Sequence, residues 1–336
     1  MSDDIILLAH GSGGGLSQEL IHKVFVSHFD NQLLSRLEDA SVFATEGSRL
    51  AFTTDSYVVK PLFFPGGNIG RLSVCGTVND LSMMGAVPLY LSAGFILEEG
   101  LPLDDLERIV TSMSEAATEA GVKIICGDTK VVERRAADGV FINTAGIGLV
   151  RDDLHISIAI SRPTDVILVS GTMGDHGITI MSQREGLQFQ SDVKSDAAPL
   201  NHLVRDMLGV SNQIHSMRDP TRGGLATTLN EIAVSSGVGV EIEEDQVPVL
   251  EGVAWACEML GLDPLYLANE GKLVATVAAA DSDRVLAAMQ SNALGANATV
   301  IGRITEDHPG RVVIKTSYGA KRILSVLAGD QFPRIC

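Results

Sequence analysis

The sequence predicts an α/β protein built of two lobes. Three observations carry that expectation. Short β-branched runs alternate with longer segments of helical period, which is the pattern of mixed strand and helix rather than of a bundle or a sandwich. The 336 residues amount to about twice an ordinary domain. The pattern is interrupted between Arg151 and Thr164, where Asp152, Asp153 and Pro163 break it.

In the first lobe, residues 1–155, the patterning predicts strands near 5–9, 50–55, 88–96, 122–127 and 140–149, with helices near 16–29, 68–84 and 102–120. In the second, residues 156–327, strands are expected near 165–170, 216–219, 238–242, 272–278, 299–304 and 312–315. Helices are expected near 176–184, 199–208, 223–236, 249–260 and 281–291. The remaining residues, 328–336, read as a mobile tail that extends to at most about 30 Å. No repeat, heptad array or low-complexity tract interrupts this plan.

Composition excludes several classes. With 45% hydrophobic and 20% charged residues and no apolar run near the ~18 that a membrane helix requires, the chain reads as globular, without a membrane partner. A net charge of −17 repels a phosphate backbone, so nucleic acid is not expected as a partner and any phosphorylated ligand needs local help. Cys75, Cys126, Cys257 and Cys336 have neither C-x-x-C spacing nor a disulfide framework, and the N-terminus lacks a basic n-region. A reducing cytoplasm is the expected location. Thirty-four glycines, about one residue in ten, exceed ordinary usage and ask what approaches the backbone so closely.

Local help for an anion is available at several places. His10-Gly11-Ser12-Gly13-Gly14-Gly15 lies between the first expected strand and helix, where exposed N–H groups suit phosphate, although a plain turn fits as well. Arg218-Asp219-Pro220-Thr221-Arg222-Gly223-Gly224 opens a helix striped with Leu225, Leu229, Ile232 and Ala233. It reads either as an anion site with Asp219 as a metal ligand or as a turn with an N-cap. Ser170–Gly177 offers a similar turn.

Three acids close apolar runs: Asp55 in Thr53-Thr54-Asp55-Ser56, Asp80 in Thr77-Val78-Asn79-Asp80, and Asp128 in Gly127-Asp128-Thr129-Lys130. Asp80 falls mid-helix, with Ser73, Gly76, Met83 and Met84 on its face, where a carboxylate is costly to bury without a cation or a donor. Each acid alone is ordinary as a cap or turn; together, beside Asn, Thr and Lys, they point to Mg²⁺ and phosphate. Glu270, in Asn269-Glu270-Gly271-Lys272, is either a surface residue at a strand start or a positioned base. A thiol at the very C-terminus is not primed by its own carboxylate, yet a tethered nucleophile is what a protein needs when its own residue is the substrate.

These residues resemble one known family. His10-Gly-Ser-Gly-Gly, Thr54-Asp55-Ser56-Tyr57, Pro61–Gly70, Gly127-Asp128-Thr129-Lys130, Asp219-x-Thr221-Arg222-Gly223-Gly224, Asn269-Glu270-Gly-Lys and above all the terminal Pro333-Arg334-Ile335-Cys336 are similar to the HypE hydrogenase expression/formation proteins, across essentially the whole chain. The terminal motif is specific to that family; the others are shared with the wider aminoimidazole ribonucleotide synthetase-like superfamily. Pro220 departs from the expected Ala and should rigidify its turn without removing a functional group.

The resemblance implies a two-domain fold, dimeric through the N-terminal lobe and binding ATP and Mg²⁺. It also implies a carbamoyl dehydratase that receives a carbamoyl group on Cys336 from the carbamoyltransferase HypF and dehydrates it to a thiocyanate. The cyano group then passes to iron on a HypC–HypD complex. Carried over by residue, Asp55, Asp80 and Asp219 are the implied Mg²⁺ ligands. His10, Gly11, Gly13, Gly14, Asn79, Asp128, Thr221, Arg222 and Gly223 are expected around the nucleotide. Lys130 would neutralise transferring charge and Glu270 would act as base. A selenophosphate synthetase-like kinase and a non-catalytic thiol carrier are the competing readings. The first is weakened because no Cys stands beside the glycine loop.

Overall fold

A computed structural model of the chain describes residues 6–11, 14–29, 31–184, 193–327 and 335. Elements follow in chain order. A leading helical segment contains α1 (Gly15–Leu20), a π-helical stretch (Ile21–Val26) and α2 (Ser27–Phe29). The first lobe then runs β1 (Ser41–Thr45), β2 (Ser48–Tyr57), β3 (Phe63–Phe64), β4 (Gly67–Asn68), α3 (Ile69–Met83), β5 (Ala86–Glu98), α4 (Leu103–Ala120), β6 (Lys123–Val132) and β7 (Val140–Val150). The second comprises β8 (Val166–Val169), α5 (Asp175–Arg184), α6 (Asn201–Val210), β9 (Ile214–Arg218), α7 (Gly224–Ser236), β10 (Gly239–Glu243), α8 (Glu251–Leu260), β11 (Val274–Val277), α9 (Ser282–Gln290), β12 (Thr299–Thr305), β13 (Val312–Lys315) and β14 (Lys321–Leu324).

Each lobe is a mixed sheet with helices on it. The first sheet has the order β1-β2-β7-β5-β6, antiparallel except for the β5–β6 pair; the second has the order β14-β13-β10-β12-β8-β11-β9. On β2 the two-residue period sends Ala51, Thr53, Asp55 and Tyr57 to one face, against α3. α3 is buried nearly all round, from Ile69 to Met83, because it lies between that sheet and the second lobe; Asn68 caps it by accepting from Gly70 and Arg71 N–H. α4 instead shows one apolar stripe, Ile109, Met113, Ala116, Ala117 and Ala120, and stops at Gly121 in the left-handed region.

The expected elements from 50 onward are present within a few residues of their predicted ends. The strand expected at 5–9 is not. Among its described residues, Ile6 and Leu7 are irregular and Leu8–Gly11 forms a 3₁₀ turn, with Ile6, Leu7 and Leu8 exposed and paired to no strand. An apolar run without a pairing neighbour has no ladder to make it a strand. Four strands carry no periodic signal in the sequence: β3 and β4 have two residues each, and β1 and β14 are edge strands with little burial to mark a period.

Candidate active site

The second sheet concentrates chemistry at one edge. β11 lies between β8 and β9, and Val274 pairs with both Val169 and Arg218. The residues just beyond these positions, Ser170, Asp219 and the Asn269–Leu273 loop, therefore emerge together. Asn269, wholly buried, ties the three loops: its Oδ1 accepts from Gly174 N–H at 2.7 Å, and its Nδ2 donates to the carbonyls of Pro220 at 3.1 Å and Leu267 at 2.9 Å. Pro220, the departure in the motif, serves through its carbonyl, so its missing N–H costs nothing here. Gly223 and Gly224 both have positive φ, and a Cβ on Gly224 would stand 2.5 Å from the Leu267 carbonyl oxygen; this is why a Gly-Gly pair opens α7.

The first lobe supplies the facing wall. Asp80 on α3 points at β2, where Thr53 Oγ1 donates to its Oδ2 at 2.8 Å. Gly76, one turn earlier, leaves room for the Tyr57 hydroxyl, which would stand 2.1 Å from a Cβ there. Asp39, Asp80 and Asp219 present carboxylate oxygens that all lie within 4.8 Å of one another. Arg218 braces one side, with Nε 3.3 Å from Asp39 and 2.9 Å from Glu231.

Loss of water and mutual repulsion hold these acids toward their neutral forms. Asp39 and Asp80 lie well above the usual carboxylate range, mainly through burial and then through neighbouring charges. Asp219 is pushed up to about 6, again mainly by burial, with Arg218 pulling it back. Three converging hard oxygen donors with one guanidinium at the side are the donor set of a Mg²⁺-type cation, and the residues present fit one.

Glu270 is not a surface residue. It is 2% exposed, its Oε1 has no hydrogen-bond partner, and its carboxyl is raised well above the ordinary value by burial and then by the charges of Asp196, Asp219 and Asp55. Its neighbour Lys272 is held by Asp196 at 3.2 Å and Asp175 at 3.5 Å. The chain end arrives here as well. Ile335, 8% exposed, packs in the same apolar cluster as Tyr57, Phe64, Ile180, Ala197 and Ala268, and His176 Nε2 lies 2.9 Å from its carbonyl oxygen.

Of the residues picked out in the sequence, the structure brings together Asp80, Asp219, Glu270 and the Thr221–Gly223 turn, with Asp55 close enough for its charge to raise Asp80, Asp219 and Glu270. Arg222 lowers both Asp219 and Glu270. Asp39, which completes the close trio, was missed: it stands in an irregular segment before β1, with no periodic signal. Asn79, expected beside the nucleotide, is a strut between the lobes. Its Nδ2 donates to the carbonyls of Ala198 and Glu270 and its Oδ1 accepts from Leu200 N–H, so both ends of its amide are engaged by the second lobe.

Asp128 and Lys130 pair with each other at 2.7 Å on the exposed edge strand β6. That edge is three strand spacings from β2, about 14 Å, so within one chain they stand apart from the carboxylate trio. His10 and Gly11 lie in the 3₁₀ turn, and Gly14 precedes α1; Gly15 N–H donates to the carbonyl of Leu327, which sets this loop beside the start of the tail. Gly13 and Cys336 fall outside the described residues.

Two family models match the chain, AIR synthase related protein, N-terminal domain, over residues 37–150, and AIR synthase related protein, C-terminal domain, over residues 162–315. The carbamoyl dehydratase HypE of Rhizobium leguminosarum is 56% identical over 98% of this chain and 94% of its own length. The chain belongs to the HypE family. A crystal structure of a hydrogenase maturation protein HypE in complex with ATP matches with a TM-score of 0.84 at 53% identity, over 99% of this chain and 100% of that one. HypE in a HypE–HypF complex matches at 0.88 with 50% identity, over 92% and 99%. As a HypE family member the chain keeps the two-domain fold and the terminal Cys that the sequence suggested. None of its described helices is long and apolar enough to cross a membrane.

Proposed function

We propose that this chain is the carbamoyl dehydratase of a hydrogenase maturation system, acting on its own Cys336 with ATP. The observation that carries this reading is the buried carbonyl of Ile335, the residue bonded to Cys336, in one cluster with Tyr57 and Ala268 and beside the Glu270 loop. A thiol carrier that only displays its tip to other proteins has no use for that contact. The full-length likeness to named carbamoyl dehydratases supports the same reading.

The chemistry follows from the groups present. An amide oxygen is a poor leaving group, so it first takes the γ-phosphoryl group of ATP and ADP departs. Loss of the two N–H protons and of phosphate then leaves S–C≡N, the removed oxygen leaving on phosphate. Asp39, Asp80 and Asp219 would hold Mg²⁺, with Asp55 beside them; when bound it supplies charge neutralisation at the transferring phosphoryl group. The Arg222 guanidinium, whose charge reaches Asp219 and Glu270, and the N–H groups of the first turn of α7 would serve as anion partners. Glu270, raised in basicity and with a free oxygen, is the group suited to take a proton from the tail amide. A tethered substrate makes the step effectively unimolecular.

Around this core, we place HypF as carbamoyl donor, a HypC–HypD iron complex as acceptor, and the cytoplasm as location. Residues 1–155 act as the nucleotide and dimerisation lobe, 156–327 as the second lobe and 328–336 as the substrate arm. A second copy of the chain suits the sheet face turned away from α3 and α4, where Phe52, Val87, Tyr90 and Leu149 are exposed in adjacent registers. In such a dimer Asp128 and Lys130, on the open edge strand, have a route to a nucleotide that they lack within one chain.

The test is mass spectrometry of the carbamoylated protein given Mg-ATP. Loss of one water confined to the C-terminal peptide, absent in Cys336→Ala, is the expected result; ATP consumption with an unchanged C-terminal mass would overturn the assignment.

A further inference from the structure

His176 takes no part in the scheme above, yet it is fully buried, and both of its ring nitrogens are engaged. Nε2 lies 2.9 Å from the Ile335 carbonyl oxygen and Nδ1 lies 2.8 Å from Ser195 Oγ. A carbonyl oxygen only accepts, so Nε2 carries the proton. Ser195 Oγ already accepts from Ala197 N–H at 3.2 Å, which leaves its own hydroxyl proton to donate to Nδ1. The result is a directed chain, from Ala197 N–H through the Ser195 hydroxyl and the imidazole to Ile335. Burial favours the neutral ring that this chain needs and lowers the His176 pKa.

The ring is also held in place from outside the chain of bonds. Phe64 of the first lobe meets it edge-on at 5.6 Å, and the Ser195 N–H donates to the carbonyl of Pro65 beside that phenylalanine. On the other side, the turn that presents His176 is bonded to the Glu270 loop: Gly174 N–H donates to Asn269 Oδ1 at 2.7 Å and Gly177 N–H to the Ala268 carbonyl at 3.1 Å. The grip on the chain end and the candidate base therefore share one frame. A shift of either relative to the other would have to break buried hydrogen bonds.

We infer that His176, its tautomer set by Ser195, is a positioning residue for dehydration: its Nε2–H holds the carbonyl of Ile335, the residue bonded to Cys336, on the same frame that carries the Glu270 loop. This rests on Cys336 being the substrate thiol. Carbamoylation needs the thiol offered to another protein, whereas dehydration needs it at Glu270. The grip serves only the second step.

The experiment uses the full chain with Cys126→Ser, since Cys75 and Cys257 are buried thiols pushed up to about 12 and about 11 and react poorly. His176→Leu, His176→Gln and Ser195→Ala are compared with the parent by two rates read on the C-terminal peptide: alkylation of Cys336 by iodoacetamide, and water loss after carbamoylation. With the leucine variant, alkylation should rise and water loss should fall, each about three- to tenfold, the worth of one net hydrogen bond, while carbamoylation is no slower. Glutamine, which keeps a side-chain N–H donor, should recover most of the loss. Ser195→Ala should shift both rates in the leucine direction and serves as the second probe should leucine fail to fold.

Parent-like rates in His176→Leu and Ser195→Ala would overturn the inference, as would equal loss in His176→Leu and His176→Gln. If the parent itself loses no water, the dehydratase reading has failed, and the alkylation rates alone still decide whether His176 holds the chain end.

Discussion

Thr53 Oγ1 donates a 2.8 Å hydrogen bond to Asp80 Oδ2, joining β2 to the middle of α3 at the point where three carboxylates converge. Asp80 is thus oriented by its own lobe before Asp219 of the other lobe approaches it. A protein that stabilises one acid while crowding it with two more is arranged for a cation to complete it, and that arrangement can be tested.

Asp80→Asn removes a ligand charge but keeps an oxygen for Thr53 to bond. Because burial and neighbouring charge already disfavour the ionised form, the apoprotein should be as stable as the parent or about 1 kcal/mol more so, while Mg-dependent ATP turnover falls at least tenfold. Chemical unfolding paired with a turnover assay checks both halves; a parent-like rate would refute the assignment of Asp80 to the cation.

The same acids set a pH dependence. Their folded pKa values are raised, so without a cation their contribution to stability is complete below the ordinary carboxylate values near 4 and is lost as pH rises through the folded values, which for Asp219 is about 6. Cation binding displaces those protons and is opposed by acid. The rise in melting temperature on adding Mg²⁺ should therefore be large at pH 8 and shrink as pH falls through 6. Thermal scans with and without Mg²⁺ across that range would show it; an increment independent of pH would contradict the trio as the binding site.

Glu270→Gln keeps the shape of a buried side chain and removes its proton affinity. Water loss from the carbamoylated thiol should slow by about 10²- to 10⁴-fold, the usual worth of a positioned base, with carbamoylation and nucleotide binding retained. Stability should not fall, because the replaced carboxyl is already disfavoured as an anion. Single-turnover mass spectrometry measures the rate, and an unslowed reaction would remove Glu270 from the mechanism.

Asn269→Ala strands the Gly174 N–H and takes the side-chain donor from the Leu267 carbonyl, while the Pro220 carbonyl keeps the backbone N–H of residue 269. Each buried polar group left unsatisfied costs about 1–3 kcal/mol, so a loss of roughly 2–5 kcal/mol in unfolding free energy is expected, measured in urea at fixed protein concentration. Activity at a temperature where the variant remains folded should fall further than stability does, because this side chain holds three functional loops together.

Much of this was legible before any coordinates. The helices at 69–83 and 103–120 and the core strands could be read because burial on one stripe or both faces imposes a period on the residues. Asp55, Asp80, Asp219 and Glu270 could be read because acids set in or beside apolar runs, with Asn, Thr, Arg or Gly close by, are costly unless a cation or a donor satisfies them. Residues 6–9 show the opposite case: the sequence has the composition of a strand, but these residues join no ladder. Asn79 shows another, a polar residue beside Asp80 whose amide is bonded at both ends to the second lobe.

By itself, then, the sequence determined the two-lobed class, the acidic and glycine-rich loops, and the terminal Pro-Arg-Ile-Cys that marks the family. Tertiary structure alone decided that Asp39 joins Asp80 and Asp219, that Asp128 and Lys130 stand on a distant edge, and that His176 closes on Ile335. The physical reason is range. Periodicity, capping and turn chemistry act over a few neighbouring residues, whereas these meetings join positions far apart in the chain, and only the pairing of strands and the docking of two lobes set their distances.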